Sequence, residues 1–245
     1  MPSPFLSIVF PAYNEEQRLP LTIDQVDAFI RNQPYQVEVV IVENGSQDRT
    51  LEIAQQAAVS RPYVRVIHEE RSGKGLAVRT GMLAAQGEYR IFCDVDFSMP
   101  VSEINRFLPP AQADSQVAIG SREAPGAIRY HEPYLRHLSG RVFNTLVRWL
   151  ALPGLQDTQC GFKCFRGDIA AEVFPLQTIT GWTFDVEVLY VARRHGYRIV
   201  EVPIPWYFNP ESKIRLLSDS RRMVMDLIAI RRNARAGIYD ARGRF

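Results

Sequence analysis

Ile91-Phe92-Cys93-Asp94-Val95-Asp96 is the stretch on which the reading of this chain turns. An apolar run of strand length ends in two aspartates one residue apart. Two carboxylates at the mouth of a buried strand repel each other and lose hydration unless a cation sits between or beside them. A divalent ion carrying a diphosphate meets that need. Mg²⁺ and Mn²⁺ take oxygen ligands, and Mg²⁺ commonly uses one or two protein carboxylates and completes its shell with phosphate oxygens and water. Asp-x-Asp alone is a common pattern, so its weight comes from its place at the end of a strand and from the segments around it.

Those segments alternate. Residues 6–10 read as a strand, and 19–32 carry Leu19, Ile23, Val26, Phe29 and Ile30 at helical spacing. The β-branched run 37–42 reads as a buried strand, and 50–60 as a helix capped by Ser46 or Asp48. A strand at 64–67, a helix at 76–85, a strand at 89–93, a helix at 101–108 and a strand at 117–119 follow. Strands alternating with helices predict a mostly parallel central sheet with helices on both faces. Ligands of such sheets bind beyond the carboxyl ends of the strands. The polar loops fall there: Pro11-Ala12-Tyr13-Asn14-Glu15 after the first strand, Glu43-Asn44-Gly45-Ser46-Gln47-Asp48 after the second, Glu69 to Gly75 after the third, and Asp94-Val95-Asp96 after the fourth. One such loop is ordinary turn chemistry. Four on one rim predict a nucleotide site.

The later half is less regular. Residues 134–152 place Leu135, Leu138, Val142, Leu146 and Trp149 on one helical face, 157–165 are compact and fit no simple period, and 183–195 read as a helix ended by Gly196. A strand is expected at 198–202, with Pro203 and Pro205 ending regular pairing. From about 216 to 232 an apolar stripe of Leu216, Met223, Leu227 and Ile230 is flanked by Leu217, Val224 and Ile228, with arginines elsewhere. The expected organisation is a catalytic domain over 1–211 and a basic amphipathic C-terminal segment over 212–245, packed on the domain and able to turn its arginine side to the head groups of an anionic membrane.

Composition sets the frame. The 245 residues are 46% hydrophobic and 23% charged, ordinary for a soluble globular domain. A net charge of +2 is too small to argue for nucleic acid. Cys93, Cys160 and Cys164 form no disulfide framework, and without a His or Cys pair beside them they read as small buried hydrophobes in a reducing, cytoplasmic protein. No signal peptide is visible, and no run approaches the roughly 20 apolar residues that span a bilayer. Any membrane contact is therefore expected to be peripheral.

Taken in order, Pro11-Ala12-Tyr13-Asn14-Glu15, Glu43-Asn44-Gly45-Ser46-Gln47-Asp48-Arg49-Thr50, Gly73-Lys74-Gly75 and Asp94-Val95-Asp96 resemble the motifs of family 2 glycosyltransferases with the GT-A fold. Asp157-Thr158-Gln159-Cys160-Gly161-Phe162-Lys163 and Ser212-Lys213-Ile214-Arg215 resemble a narrower branch, the polyprenyl-phosphate sugar transferases of the dolichyl-phosphate β-glucosyltransferase type. The likeness covers nearly the whole chain. Asn44 stands where the family usually has a second acidic residue, and Ser72 where an Asn is common. The family's eukaryotic glucosyl enzymes carry an N-terminal anchor and many bacterial relatives carry C-terminal spans, so the membrane contact expected here is peripheral or through a partner.

The resemblance implies an inverting, metal-dependent transfer of a hexose from a nucleoside diphosphate sugar to a polyprenyl phosphate, with Mg²⁺ or Mn²⁺ held by Asp96 and Asp94. It implies donor-nucleotide contacts at Pro11, Ala12, Tyr13, Glu15, Glu43, Lys74, Asp94, Val95 and Asp96. Glu43 can accept from an N–H of either uracil or guanine, so it does not choose between the nucleotides; the expected donor is UDP-glucose, with GDP-mannose as the alternative. Asp157 is implied as an active-site residue, with a helix cap after Pro153-Gly154 as the other reading. Arg122, Arg129, Gln159, Lys163, Trp182, Lys213 and Arg215 are implied on the phosphate and acceptor side, where arginine binds phosphate bidentately and lysine as a point charge. Asp185 and Glu187 fall beside Trp182, and Glu187 equally suits a helix. Gly45, Ser46 and Asp48 read as turn and cap. Gly73-Lys74-Gly75 looks like a phosphate cradle without the spacing of a P-loop, Lys74 either ordering the nucleotide loop or standing in solvent, and Arg122 is either a site residue or a surface arginine. A lipid phosphate is already anionic, so no dedicated general base is required. The other readings are a soluble transferase acting on a sugar or protein hydroxyl, and a non-catalytic nucleotide-sugar binder.

Overall fold

The computed structural model describes residues 3–96, 98–209 and 216–240. Lys213 and Arg215 therefore lie outside the described residues, as do the side chains of Leu135, Leu138, Val142, Leu216 and Leu217. The elements run β1 (Leu6–Ala12), α1 (Leu19–Arg31), β2 (Val37–Glu43), α2 (Thr50–Ser60), β3 (Val64–His68), α3 (Lys74–Ala84) and β4 (Tyr89–Cys93). After a 3₁₀ turn at Val101–Phe107 come β5 (Val117–Ser121), β6 (Ile128–Tyr130), α4 (Tyr134–Leu150), β7 (Phe162–Arg166), α5 (Gly167–Val173), α6 (Phe184–Arg194), β8 (Ile199–Pro203), β9 (Pro205–Tyr207) and α7 (Leu216–Arg235).

Seven strands form one sheet in the order β3-β2-β1-β4-β7-β5-β8. All neighbours are parallel except β7, which runs antiparallel to both β4 and β5. Alternate residues of each strand serve opposite faces. Leu6, Ile8 and Phe10 of β1 join one buried cluster with α1 and α2, while Val9 joins the other with α3, α5, α6 and α7. Burial on both faces is why β1 and β2 read as unbroken apolar runs rather than as alternations. Phe92 of β4 meets Phe165, Phe174 and Phe184 at centroid distances of 6.5, 6.5 and 5.5 Å, so one aromatic layer holds β4, β7 and α6 together. β1 lies between β2 and β4. The strand order reverses there, and the crevice of an open α/β sheet forms at such a point.

The strands of the first half appear where the sequence puts them, β4 with the expected bounds and the others extended by one or two residues at their carboxyl ends. Three features differ from expectation. The irregular stretch 157–165 holds all but the last residue of β7, the strand that links the two halves of the sheet. Lys163 interrupts its apolar pattern, and its burial depends on a partner, Asp185, 22 residues away. Pro203 and Pro205 do not end pairing: the chain leaves β8 at Pro203 and at once pairs Pro205–Tyr207 with β6 in a second, two-stranded sheet. Finally, among the described side chains of α4 Val147 is buried, whereas Trp149, expected on the apolar face, is exposed. The helix at 183–195 does end at Gly196, which takes a φ of 85°.

Candidate active site

The first two loops are stitched into one unit by backbone donors. Asn14 N–H donates to Ser46 Oγ (3.0 Å), Glu15 N–H to Thr50 Oγ1 (2.7 Å) and Glu16 N–H to Asp48 Oδ2 (3.1 Å), while Gln47 N–H donates to Asn14 Oδ1 (2.8 Å). Asn14 takes a φ of 51°, a left-handed conformation that Asn tolerates better than most residues. Of the two expected caps, Asp48 accepts from Thr50 N–H at the start of α2 (3.0 Å), whereas Ser46 is turned to the first loop. Glu43 is 1% exposed; it accepts from Ser46 N–H at 2.5 Å, and His68 Nδ1 lies 2.6 Å from its other oxygen. The carboxylate that the sequence offered to a base braces the second loop and ties it to the end of β3. Asn44, its carboxamide oriented by its surroundings, donates to the Ala12 carbonyl (3.0 Å) and accepts from Gly73 N–H (3.1 Å). The departure from a second acidic residue therefore joins three loops.

Gly73-Lys74-Gly75 is not a set of free amides. Gly75 and Leu76 donate to the Thr180 carbonyl at 2.9 and 3.3 Å, and a Cβ on Gly73 or Gly75 would strike the 179–181 backbone. The glycines permit this close approach, and the apparent phosphate cradle is a seam between α3 and the loop before α6. Lys74 emerges from the seam with its Nζ 2.5 Å from Asp94 Oδ1 and 5.3 Å from the Trp182 ring centre. Burial alone would lower its pKa, but Asp94, Asp185 and Asp96 reverse that and hold it above the ordinary lysine value. Asp96 accepts from Ser98 N–H at 3.0 Å. Burial, and then the Asp94 charge, raise its pKa.

Opposite, Arg122 grips Asp157 in a two-pronged pair, Nε to Oδ2 at 2.6 Å and Nη2 to Oδ1 at 2.9 Å. Asp157 is 2% exposed. Burial pushes its pKa up, yet the Arg122 charge and hydrogen bonds bring it down to about 2. Its own N–H and that of Gln156 donate to Glu201, and Gln159 N–H donates back to Asp157 at 3.2 Å. The Arg122 and Arg129 guanidinium groups lie 5.3 and 5.7 Å from the Trp206 ring centre. Arg129 also donates to the Arg122 carbonyl and pairs with Glu123 and Glu132. Beneath, Lys163 is 0% exposed, with Nζ 2.7 Å from Asp185 and 2.5 Å from the Cys160 carbonyl. Lys163, expected to face the acceptor, is set under the crevice as a buried counter-ion.

The remaining expected residues take three kinds of place. Tyr13 is exposed at the rim, with Pro11 half-buried behind it and Glu15 paired with Arg18 at 2.6 Å. Ala12 and Val95 are buried, and their carbonyls are already engaged, Ala12 by Asn44 N–H at 3.1 Å and Val95 by Thr22 Oγ1 at 2.5 Å. Glu187 is buried and accepts from Thr178, Ile179 and Tyr239, which makes it a strut between α6 and the end of the chain. Sequence reading missed His68, Glu201 and Gly161. A Cβ on Gly161 would collide with the Asp94 carboxylate, so this glycine makes the room in which Asp94 sits. The antiparallel register Cys93↔Phe162 brings the two together, and the chain alone carries no signal of that pairing. The cysteines are free and buried, as expected, with burial raising the Cys160 thiol to about 12.

The acidic pair suits a hard dication. Its donors are carboxylate oxygens, a cationic ammonium already lies against Asp94, and burial with the Asp94 charge raises the Asp96 pKa. Among the described residues no third His, Cys, Asp or Glu completes a metal-holding group. Two carboxylates that leave most of the shell to phosphate and water match the habit of Mg²⁺.

Comparison with known proteins agrees with this geometry. The family model "Glycosyl transferase family 2" matches residues 7–174, and the chain belongs to that family. Similar curated proteins are the dolichyl-phosphate beta-glucosyltransferases of Saccharomyces cerevisiae (33% identical, covering 96% of this chain and 76% of the relative) and Drosophila melanogaster (35%, covering 94% and 75%). The Homo sapiens protein of the same name is 31% identical, covering 94% of this chain and 76% of the relative. Among solved structures, glucosyl-3-phosphoglycerate synthase from Mycobacterium tuberculosis in complex with uridine diphosphate aligns with a TM-score of 0.66 at 20% identity, covering 93% of this chain and 80% of that one. The same enzyme with Mn²⁺, UDP-glucose and phosphoglyceric acid aligns at 0.65 and 18%, covering 93% and 79%. The fold is GT-A.

Proposed function

We propose that this glycosyltransferase moves glucose from UDP-glucose to a polyprenyl phosphate, with inversion, at the cytoplasmic surface of a membrane. The observation that carries the reading is 31–35% identity over 94–96% of the chain to dolichyl-phosphate beta-glucosyltransferases. A phosphate oxygen of the acceptor forms the new bond to the anomeric carbon as the bond from that carbon to the diphosphate breaks, and UDP leaves with the electron pair. Asp94 and Asp96 would hold Mg²⁺ or Mn²⁺, which when bound neutralises charge on the leaving diphosphate. Lys74 adds a fixed positive charge beside them. Tyr13, Pro11 and Glu15 form the rim offered to the nucleoside.

Asp157 is no proton carrier near neutral pH, because a carboxyl with a pKa of about 2 stays ionised. Its role is to fix the Arg122 guanidinium, which with Arg129 and Gln159 supplies the phosphate side of the crevice. Trp182 caps Lys74, Lys163 steadies Asp185 below, and Lys213 and Arg215 add cations for the acceptor. An anionic acceptor needs positioning more than deprotonation, which agrees with a crevice that offers anchored cations rather than a poised base.

A donor screen tests this. UDP-glucose, and not GDP-mannose, should label polyprenyl phosphate when Mg²⁺ or Mn²⁺ is present, and a chelator should stop the reaction. Labelling from GDP-mannose alone, or transfer to a sugar hydroxyl without lipid, would overturn it.

A further inference from the structure

α7 has two unlike sides. Met223, Leu227, Ile230 and Ala234 are buried against the catalytic core. At helical spacing the opposite side carries Arg221, Met225, Ile228, Arg232 and Arg235, with Arg222 and Arg231 on its flanks. All seven are exposed, Met225 at 59% and Ile228 at 54%. Asp226 falls on the other side of the helix by the same period. Two bare apolar side chains framed by five arginines are poorly suited to water. They suit a surface that accepts short apolar insertions and presents anions around them.

Two neighbours extend this face. α4 packs against α7 and ends in exposed Arg148, Trp149 and Leu150, Trp149 at 86%. Tryptophan with an apolar body and one N–H donor favours the headgroup level of a bilayer. Arg222 Nε lies 3.9 Å from where a Cβ of Gly181 would stand, and Gly181 precedes Trp182, the residue under Lys74. The basic face thus begins at the wall of the donor crevice.

We propose that the outer face of α7, with the end of α4, docks on an anionic phospholipid bilayer, with Met225, Ile228 and Trp149 inserted shallowly and the arginines on lipid phosphates. This rests on the reading of the acceptor as a membrane lipid, and it places the crevice where such a phosphate emerges. The charge pattern favours a lipid surface over a second copy of the chain, because two such faces would set five arginines against five.

The test is flotation of the whole protein, without donor or acceptor, on phosphatidylcholine vesicles with and without phosphatidylserine. Binding should require phosphatidylserine and weaken with salt. Losing two arginines near such a surface should lower partitioning about 30-fold, so Arg221→Gln with Arg232→Gln measures the charge contribution. Met225→Ser with Ile228→Ser should weaken binding with little change in its salt dependence. Both pairs should keep the wild-type melting temperature and the wild-type rate on a short, water-soluble prenyl phosphate. Wild-type protein that ignores phosphatidylserine, or variants that bind as wild type does, would overturn the proposal. So would a dimer that Met225→Ser with Ile228→Ser dissolves while vesicle binding is absent. Vesicle binding is read without turnover, so its failure leaves the donor screen standing, and a failed donor screen leaves the docking face standing.

Discussion

Asp96 and Asp157 stand at the rim of one sheet, and the protein answers their charges in opposite ways. Asp157 is locked by a two-pronged arginine, backbone N–H groups support it, and its pKa falls to about 2. Asp96 is pressed between burial and the Asp94 charge, and its pKa rises. One carboxylate is fully answered as the chain folds; the other is left pressed by burial and a like charge.

The contrast can be broken by substitution. Asp96→Ala should lower transfer about a thousandfold or more, since a group that helps neutralise a leaving charge is worth that order. The fold should stay intact by circular dichroism; activity near wild type would remove Asp96 from the metal role. Arg122→Ala should act on stability instead, by about 3–5 kcal/mol, because it strands a buried carboxylate. Arg122→Met with Asp157→Leu should recover much of that in urea unfolding while remaining inactive. If the single variant unfolds like wild type, the pair is not what holds the 157–163 loop.

pH sharpens the contrast. The folded-state pKa of Asp157 lies below its ordinary value of 3.8, at about 2, so on acidification the unfolded chain takes the proton first. Its contribution, on the order of 2 kcal/mol, is present above about pH 4 and is lost as pH falls towards 2. The acid limb of wild-type stability should flatten in that window in Arg122→Met with Asp157→Leu. Asp96 has the reverse sign: with a raised folded-state pKa, its ionised form disfavours folding. Asp96→Asn should therefore raise the melting temperature slightly at neutral pH, and the gain should shrink as pH falls below the carboxylate range. A gain that persists at low pH would point to packing rather than charge.

Much of this was legible in the chain. Local rules decided the alternating first half, the rim loops, the Gly196 stop and the buried cysteines, because period, β-branching and turn chemistry act over a few residues. The resemblance supplied the family, and the acidic pair drew attention by its position. What was not legible depends on distant partners. Lys163 disguised β7, since a lysine in a fully buried strand makes sense only once Asp185 is beside it. Glu43 looked available to a base until Ser46 and His68 claimed it. Gly73-Lys74-Gly75 looked like a cradle until Asn44 took the Gly73 N–H and the Thr180 carbonyl took that of Gly75.

Sequence alone thus determined that this is an α/β chain with acidic and polar loops gathered at the carboxyl ends of its strands. It also determined that its C-terminal helix is basic and two-faced. Only the tertiary structure decided which charges are already answered. Arg122 reaches Asp157 across 35 residues, Lys74 reaches Asp94 across the seam at Thr180, and Gly161 clears the space for Asp94 through an antiparallel register. The physical reason is that a charge pair forms from distance and desolvation, and neither is a property of neighbours in the chain.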